Sequence, residues 1–164
     1  MAAPTPEPVA PEPAPQPAPE PTVSTGSGKQ EILVAEDFPL NQDVVRLMLV
    51  ETAFEPVFAE NGKLASETYL ADPNRFPLVL MDVSMPVMDG YEATGVIRDW
   101  EAQNGCANVP IIALTGHALK NDRQACLDAG MTDYLTKPVK QAELLELLEH
   151  YSGRAVDIDD SRAA

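Results

Sequence analysis

The sequence predicts an α/β domain with a doubly wound, five-stranded parallel sheet. Short apolar runs recur along the chain and indicate strands that are buried on both faces. Segments of helical length lie between these runs, and three of the runs end in Glu, Asp or Thr. Five such β-α units fit into about 120 residues, which is the size of one domain.

The elements alternate regularly after residue 28. Pro39 opens the first helix because its fixed φ suits the first helical position, and Gly130 ends the fourth helix. The first helix is expected to turn Val44, Leu47, Met48 and Val50 towards the sheet. The predicted strands are 32–35, 57–59, 78–81, 111–114 and 134–135. The predicted helices are 39–51, 63–70, 91–102, 121–129 and 141–150.

Two terminal segments differ in composition from the domain between them. Residues 1–28 hold nine of the sixteen prolines and little apolar surface, which predicts a disordered Pro/Ala-rich linker with polyproline character. A docking motif for another protein remains open there. The folded domain is expected at 29–153, followed by a flexible acidic tail at 154–164.

Composition and charge exclude several classes of function. The formal net charge of −15 and the pI near 4.3 argue against a nucleic-acid partner, which would require a basic face. No signal peptide or membrane span is recognisable, so the prediction is a cytoplasmic segment without membrane contact. Cys106 and Cys126 have no metal-ligand spacing and are expected to be reduced thiols.

Polar residues follow four of the predicted strands, where an open α/β sheet gathers its reactive groups. Glu36 and Asp37 follow the first strand, Asp82 the third, Thr115 the fourth, and Lys137 the fifth. We therefore expect three carboxylates, a hydroxyl and an ammonium in one cleft. Such a cleft can hold a divalent cation and a phosphoryl group.

Each group has a chemical task in phosphoryl transfer. Mg²⁺ prefers oxygen ligands and takes one or two protein carboxylates, which Asp37 and Asp82 offer. Glu36 would act through a bound water, and the Ser84 carbonyl would complete the protein ligands. An ionised Asp82 can attack a phosphoryl group to form an acyl phosphate.

Two further groups would neutralise the phosphoryl oxygens. The Lys137 ammonium would pair with one oxygen and the Thr115 hydroxyl would donate to another. Each residue alone has a structural explanation as a helix cap, a turn residue or a connection. Their joint occurrence at successive strand ends favours the functional interpretation.

Four motifs resemble those of the receiver domain of bacterial two-component response regulators, over about residues 29–151. The resemblance implies a (βα)5 flavodoxin-like receiver fold and a cis Lys137–Pro138 bond. The motifs are Ile32-Leu33-Val34-Ala35-Glu36-Asp37, Leu80-Met81-Asp82-Val83-Ser84-Met85-Pro86-Val87-Met88-Asp89-Gly90, Ala113-Leu114-Thr115-Gly116-His117 and Asp133-Tyr134-Leu135-Thr136-Lys137-Pro138.

The resemblance also implies a role for each site residue. Asp82 would accept a phosphoryl group from phosphohistidine, and Thr115 with Tyr134 would form the switch. The implied Mg²⁺ ligands are Asp37, Asp82 and the Ser84 carbonyl, with help from Glu36. By the same resemblance, Lys137 would pair with the phosphoryl group. Such a domain catalyses its own phosphorylation and slow dephosphorylation and is not a multiple-turnover enzyme.

The resemblance implies partners as well. The expected partner is a histidine kinase or a histidine phosphotransfer protein. A homodimer or an intramolecular kinase contact would use the face of the fourth helix, fifth strand and fifth helix. The stretch Phe38-Pro39-Leu40-Asn41-Gln42 is similar to receivers of hybrid sensor kinases, although a stand-alone receiver is also open. Glu36 and Phe38 depart from the more usual Asp and Asn.

Two other function classes remain open from the residues. A phosphorylation-independent interaction module could keep this fold, although such a module has no need of the acceptor, the acids and the lysine. A phosphohydrolase with an aspartyl intermediate usually has a second acid two residues after the nucleophile, where this chain has Ser84.

Overall fold

The computed structural model describes residues 28–117 and 119–152. Five parallel strands form one sheet in the order β2-β1-β3-β4-β5, which confirms the predicted fold class. The linker and tail predictions concern residues outside the described ranges and stay predictions. The strands are β1 Gln30–Ala35, β2 Phe54–Ala59, β3 Val79–Asp82, β4 Ile111–Thr115 and β5 Asp133–Thr136. The helices are α1 Pro39–Leu49, α2 Gly62–Ala71, α3 Gly90–Asn104, α4 Lys120–Asp128 and α5 Gln141–Tyr151.

Helices cover both faces of the sheet because successive strand residues point to opposite sides. On one face, residues such as Val34 and Leu80 pack against α1 and α5. On the other, residues such as Leu33 and Val79 pack against α2, α3 and α4. The three central strands are therefore apolar nearly throughout, as two-sided burial requires.

The strand register brings the polar strand ends together. β1 lies between β2 and β3, and β3 lies between β1 and β4. Asp82 and Thr115 are the last residues of β3 and β4. Each strand therefore ends one residue later than the sequence predicts. Asp82 pairs in register with Leu114, directly before Thr115.

The predicted inward face of α1 is wrong for three of its four residues. Leu47 is 72% exposed, and Val44 and Val50 are also exposed, whereas the core side chains of the helix are Val45 and Leu49. Met48 is half-buried, as predicted. Apolar residues occupy more than one face of this helix, so periodicity alone does not determine which face meets the sheet.

The outer strands extend beyond the predicted segments. β2 begins three residues before the predicted strand and includes Pro56, which an edge strand tolerates because one side makes no ladder hydrogen bonds. α1 ends at Leu49, two residues before its predicted end.

Cys106 is an exposed free thiol and Cys126 a buried one. None of the helices in the described ranges has the length and apolar character that crossing a membrane needs.

Candidate functional site

Asp82 lies buried at the carboxyl end of β3, with 3% of its surface exposed. Its Oδ2 accepts a hydrogen bond from Lys137 Nζ at 2.8 Å, and its Oδ1 accepts one from the Ser84 amide at 3.0 Å. Burial raises the pKa of Asp82, and these two hydrogen bonds only partly offset that effect.

Glu36 faces Asp82 from the end of β1 and is 1% exposed. Its Oε2 accepts from Lys137 Nζ at 2.8 Å. Its Oε1 accepts from the Phe38 amide at 3.1 Å and from Asn41 Nδ2 at 3.2 Å. Burial raises the pKa of Glu36, but these hydrogen bonds outweigh it and leave the pKa below its ordinary value.

Lys137 binds both buried carboxylates with one ammonium group. Burial lowers its pKa, but the hydrogen bonds to Asp82 and Glu36 outweigh burial and leave the pKa raised. Its backbone amide donates to the Thr115 carbonyl at 2.7 Å, which fixes the end of β5 beside β4. The Lys137–Pro138 bond is cis, as expected.

Three acids form a possible metal site. Ligand atoms of Glu36, Asp37 and Asp82 lie within 4.8 Å of one another. Glu36 and Asp82 are buried, whereas Asp37 is exposed, so the cluster opens to solvent on one side. Hard oxygen ligands with access for several waters are the donor set that Mg²⁺ prefers, and the residues present fit that ion.

Thr115 and Tyr134 each contact a residue outside the acid-lysine cluster. The Thr115 side chain is buried and exchanges hydrogen bonds of 3.2 Å with the backbone N–H and C=O of His117. Tyr134 is half-buried, and the guanidinium carbon of Arg123 lies 5.6 Å from the centre of its ring. The Thr115 hydroxyl is thus held by the backbone directly after β4.

The loop after β3 is held against Asp82. The Gly90 amide donates to the Val83 carbonyl at 3.3 Å, and any Cβ at Gly90 would collide with the backbone carbonyl of Asp82. Asp89 caps α3 through the Glu92 amide in a capping box. These contacts fix the segment that carries Ser84.

Asn41 and Gln42 are supporting residues to which the sequence pattern assigned no role. Asn41 holds the Glu36 carboxylate, and Gln42 Nε2 donates to the Glu36 carbonyl at 2.7 Å. Both lie in the first turn of α1, four and five residues after Asp37. Two amides at that position are the signal from which this support could have been predicted.

Residues 32–149 match the family model described as response regulator receiver domain. The chain is 40% identical over 125 residues to the sensor protein GacS of Pseudomonas syringae pv. syringae. That match covers 76% of this chain but 14% of GacS, so the activity of the whole relative does not transfer.

Two solved receiver structures resemble this fold. The receiver domain of sensor histidine kinase PA1611 from Pseudomonas aeruginosa PAO1, solved with magnesium in its active site cleft, is 44% identical with a TM-score of 0.66. That match covers 77% of this chain and 99% of that one. The receiver of Saccharomyces cerevisiae Ssk1, solved with the histidine phosphotransfer signalling protein Ypd1, is 32% identical with a TM-score of 0.72, covering 80% and 94%.

The family match, the sheet order and the acid-lysine cluster at the strand ends agree with one another. The sequence resemblance is thereby confirmed, and with it the receiver fold. The chain belongs to the response regulator receiver domain family, whose members serve in two-component and phosphorelay signalling.

Proposed function

We propose that Asp82 accepts a phosphoryl group from a phosphohistidine and that the other cluster residues support this transfer. One observation carries the proposal: Lys137 holds the buried Asp82 carboxylate beside two further acids, all within reach of one metal ion. A buried carboxylate kept anionic by cations is an activated nucleophile.

The transfer step follows from the positions of the side chains. An oxygen of Asp82 attacks phosphorus, and the histidine nitrogen leaves with the electron pair of the P–N bond. Lys137 can then exchange its contact with Asp82 for a phosphoryl oxygen, and Thr115 can donate to another oxygen. A Mg²⁺ ion held by Asp37, Asp82 and the Ser84 carbonyl, with help from Glu36, would supply further positive charge when bound.

The switch would couple this step to the surface of the domain. Once Thr115 turns from His117 to the phosphoryl group, space opens beside β4, and the Tyr134 ring could move inward. That movement would change a groove of about 560 Å³ lined by residues of α4, β5 and α5, which include Arg123 and Glu146. The α4-β5-α5 face is therefore the proposed site of a homodimer or an intramolecular kinase contact.

The proposed partner is a histidine kinase or a histidine phosphotransfer protein. The resemblance to GacS and to the PA1611 receiver supports a hybrid sensor kinase as the parent protein. The Ssk1 receiver, solved together with Ypd1, supports a phosphotransfer protein of that class as the phosphodonor.

Intact mass after incubation with acetyl phosphate tests the proposed chemistry. Wild type with Mg²⁺ should gain one phosphoryl group, whereas wild type with EDTA and Asp82→Asn with Mg²⁺ should gain none. Asp72→Asn, which removes a carboxylate outside the cluster, serves as the matched control and should label normally. Full labelling of Asp82→Asn would contradict the assignment of the acceptor.

A further inference from the structure

The chain contains two Asn-Gly pairs, Asn61-Gly62 and Asn104-Gly105. An asparagine followed by glycine can lose its side-chain amide without an enzyme, because glycine has no Cβ to hinder the approach of its backbone nitrogen to the asparagine side chain. The reaction needs an accessible asparagine and a glycine amide that can leave its hydrogen bond. The two pairs differ in both respects.

The reaction is an intramolecular exchange of amides. The glycine nitrogen attacks Cγ of the asparagine and forms a new C–N bond, while the Cγ–Nδ2 bond breaks and Nδ2 leaves as ammonia with the proton of the glycine amide. Water then opens the resulting succinimide ring at either of its two carbonyl carbons. Opening at Cγ leaves aspartate, and opening at the backbone carbonyl leaves isoaspartate, in which the backbone continues through the side chain.

The Asn61-Gly62 pair is held by contacts with another part of the fold. Gly62 is buried, and its amide donates to the Met88 carbonyl in the loop after β3 at 2.9 Å. A Cβ at Gly62 would collide with the carbonyls of Met88 and Asp89, so this backbone is tightly enclosed. The Asn61 side chain caps α2 by accepting from the Leu64 amide at 2.9 Å. Attack by the Gly62 nitrogen therefore requires α2 to separate from that loop.

The Asn104-Gly105 pair lies at an open end of α3. Asn104 is the last residue of the helix, and residues 102–108 are all exposed. Nothing from the rest of the fold lies within 4 Å of the position that a Cβ of Gly105 would take. The Gly105 amide donates to the Glu101 carbonyl, and Asn104 Nδ2 donates to the Trp100 carbonyl at 2.8 Å. Both bonds belong to the last turn of α3, and helix ends fray readily.

Asn108 is exposed in the same segment but is not followed by glycine. The next residue is Val109, whose β-branched side chain hinders attack by its own backbone nitrogen. That backbone amide also donates to the buried Glu101 carboxylate at 2.7 Å. Asn108 is thus exposed without a glycine, Asn61 has the glycine but an enclosed backbone, and Asn104 has both the glycine and open surroundings.

We propose that Asn104 is a site of spontaneous deamidation in the folded chain and that Asn61 is protected from the same reaction. The product places a new carboxylate at the C-terminal end of α3, whose last turn contains no basic residue. A negative charge at that end of a helix is unfavourable with the helix dipole. In the isoaspartate product, the extra backbone carbon also displaces Gly105 from Glu101, whose carboxylate pairs with Arg98. Deamidation therefore loosens the end of α3.

Peptide mapping of the full chain during storage at neutral pH and physiological temperature tests the proposal. Samples would be digested at mildly acidic pH, which limits new deamidation during digestion. Tandem mass spectrometry would locate each exchange of NH2 for OH, and chromatography would separate aspartate from isoaspartate peptides. We expect deamidation at Asn104 to be roughly tenfold or more faster than at Asn61, because Asn61 reacts only after its enclosing structure opens. Asn108 should stay intact.

The same chain in concentrated guanidinium chloride is the reference, because unfolding removes the structural difference between the two pairs. Sampling continues until this reference has reacted at both, and the two rates should then be comparable. Asn104→Gln should abolish the reaction at its own position and leave Asn61 unchanged, since glutamine must form a larger ring. Equal rates at Asn61 and Asn104 in the folded chain would overturn the proposal. An intact Asn104 in the folded chain, when the unfolded chain has reacted at both pairs, would overturn it as well.

Discussion

Lys137 Nζ donates to Asp82 Oδ2 at 2.8 Å across 55 residues of sequence, and the same ammonium binds Glu36 at 2.8 Å. The lysine charge therefore lies beside two of the carboxylates that would hold a metal ion. The ammonium and a bound Mg²⁺ would repel each other, and each would help to keep Asp82 ionised.

This relationship predicts opposite effects of Lys137→Met on metal binding and on phosphorylation. Removing the ammonium takes a like charge away from the metal site, so Mg²⁺ should bind roughly tenfold more tightly. Phosphorylation by acetyl phosphate should become slower, because one phosphoryl oxygen loses its partner. Calorimetric Mg²⁺ titration together with intact mass would check both effects. Weaker Mg²⁺ binding in the variant would contradict the electrostatic explanation.

A buried network around Glu101 is predicted to contribute to the stability of the fold. Glu101 is fully buried and accepts from Arg98 Nη1 and the Val109 amide at 2.7 Å, and from Tyr69 Oη at 3.0 Å. Glu101→Ala leaves the Arg98 charge without its carboxylate and should cost roughly 3–5 kcal/mol of unfolding free energy.

Tyr69→Phe removes one hydrogen bond from the same network and should cost only about 1 kcal/mol. Urea unfolding of both variants and wild type provides the measurement. Equal unfolding free energies for Glu101→Ala and Tyr69→Phe would show that the ion pair between Glu101 and Arg98 adds no stability beyond that of one hydrogen bond.

The pair Glu31 and Arg75 predicts a pH dependence of stability. The hydrogen bonds from Arg75, one of them 3.0 Å long, hold the pKa of Glu31 below its ordinary value of 4.5 against the opposing effect of burial. A depressed pKa in the folded state contributes stability that is complete above the unfolded pKa and is lost as pH falls through the folded one. Glu31→Gln should therefore be less stable than wild type at pH 7.

The gap between Glu31→Gln and wild type should narrow as the pH falls below about 4.5. Urea unfolding at pH 7 and at a pH near 3.5 would measure it. A gap that is constant or grows in acid would show that the carboxylate charge of Glu31 contributes nothing to the folded state.

The two faces of α1 should respond differently to truncation. Leu49 is 1% exposed, so Leu49→Ala should cost about 2–5 kcal/mol by creating a cavity. Leu47→Ala, at an exposed position of the same helix, should change stability by less than about 0.5 kcal/mol. Thermal or urea unfolding of the two variants distinguishes these effects. Comparable losses of unfolding free energy would support the burial of Leu47 that the sequence predicts.

The sequence predicts the central strands and the candidate site well for a simple physical reason. β1, β3 and β4 are buried on both faces, so each appears as an uninterrupted apolar run that stops at a polar residue. Because parallel strands end at the same edge, Glu36, Asp82 and Lys137 meet there as expected. Edge strands such as β2 carry polar residues, and their extents were accordingly underestimated.

Other features depend on tertiary contacts that no local pattern reveals. Val44 and Val45 are chemically identical neighbours, yet only the sheet decides that Val45 is buried and Val44 exposed. Glu101 follows Arg98 by three residues and looks like a surface ion pair in sequence. Its burial comes from contacts with the distant Tyr69 and Val109.

Chemical identification of the phosphorylated residue is the most direct test of Asp82 as the acceptor. The chain would be labelled with acetyl phosphate and Mg²⁺, treated with borohydride to reduce any acyl phosphate, and digested for peptide mass spectrometry. We expect conversion of Asp82 alone to homoserine. Reduction of Asp37, Glu36 or another carboxyl group to its alcohol in place of Asp82 would contradict the assignment.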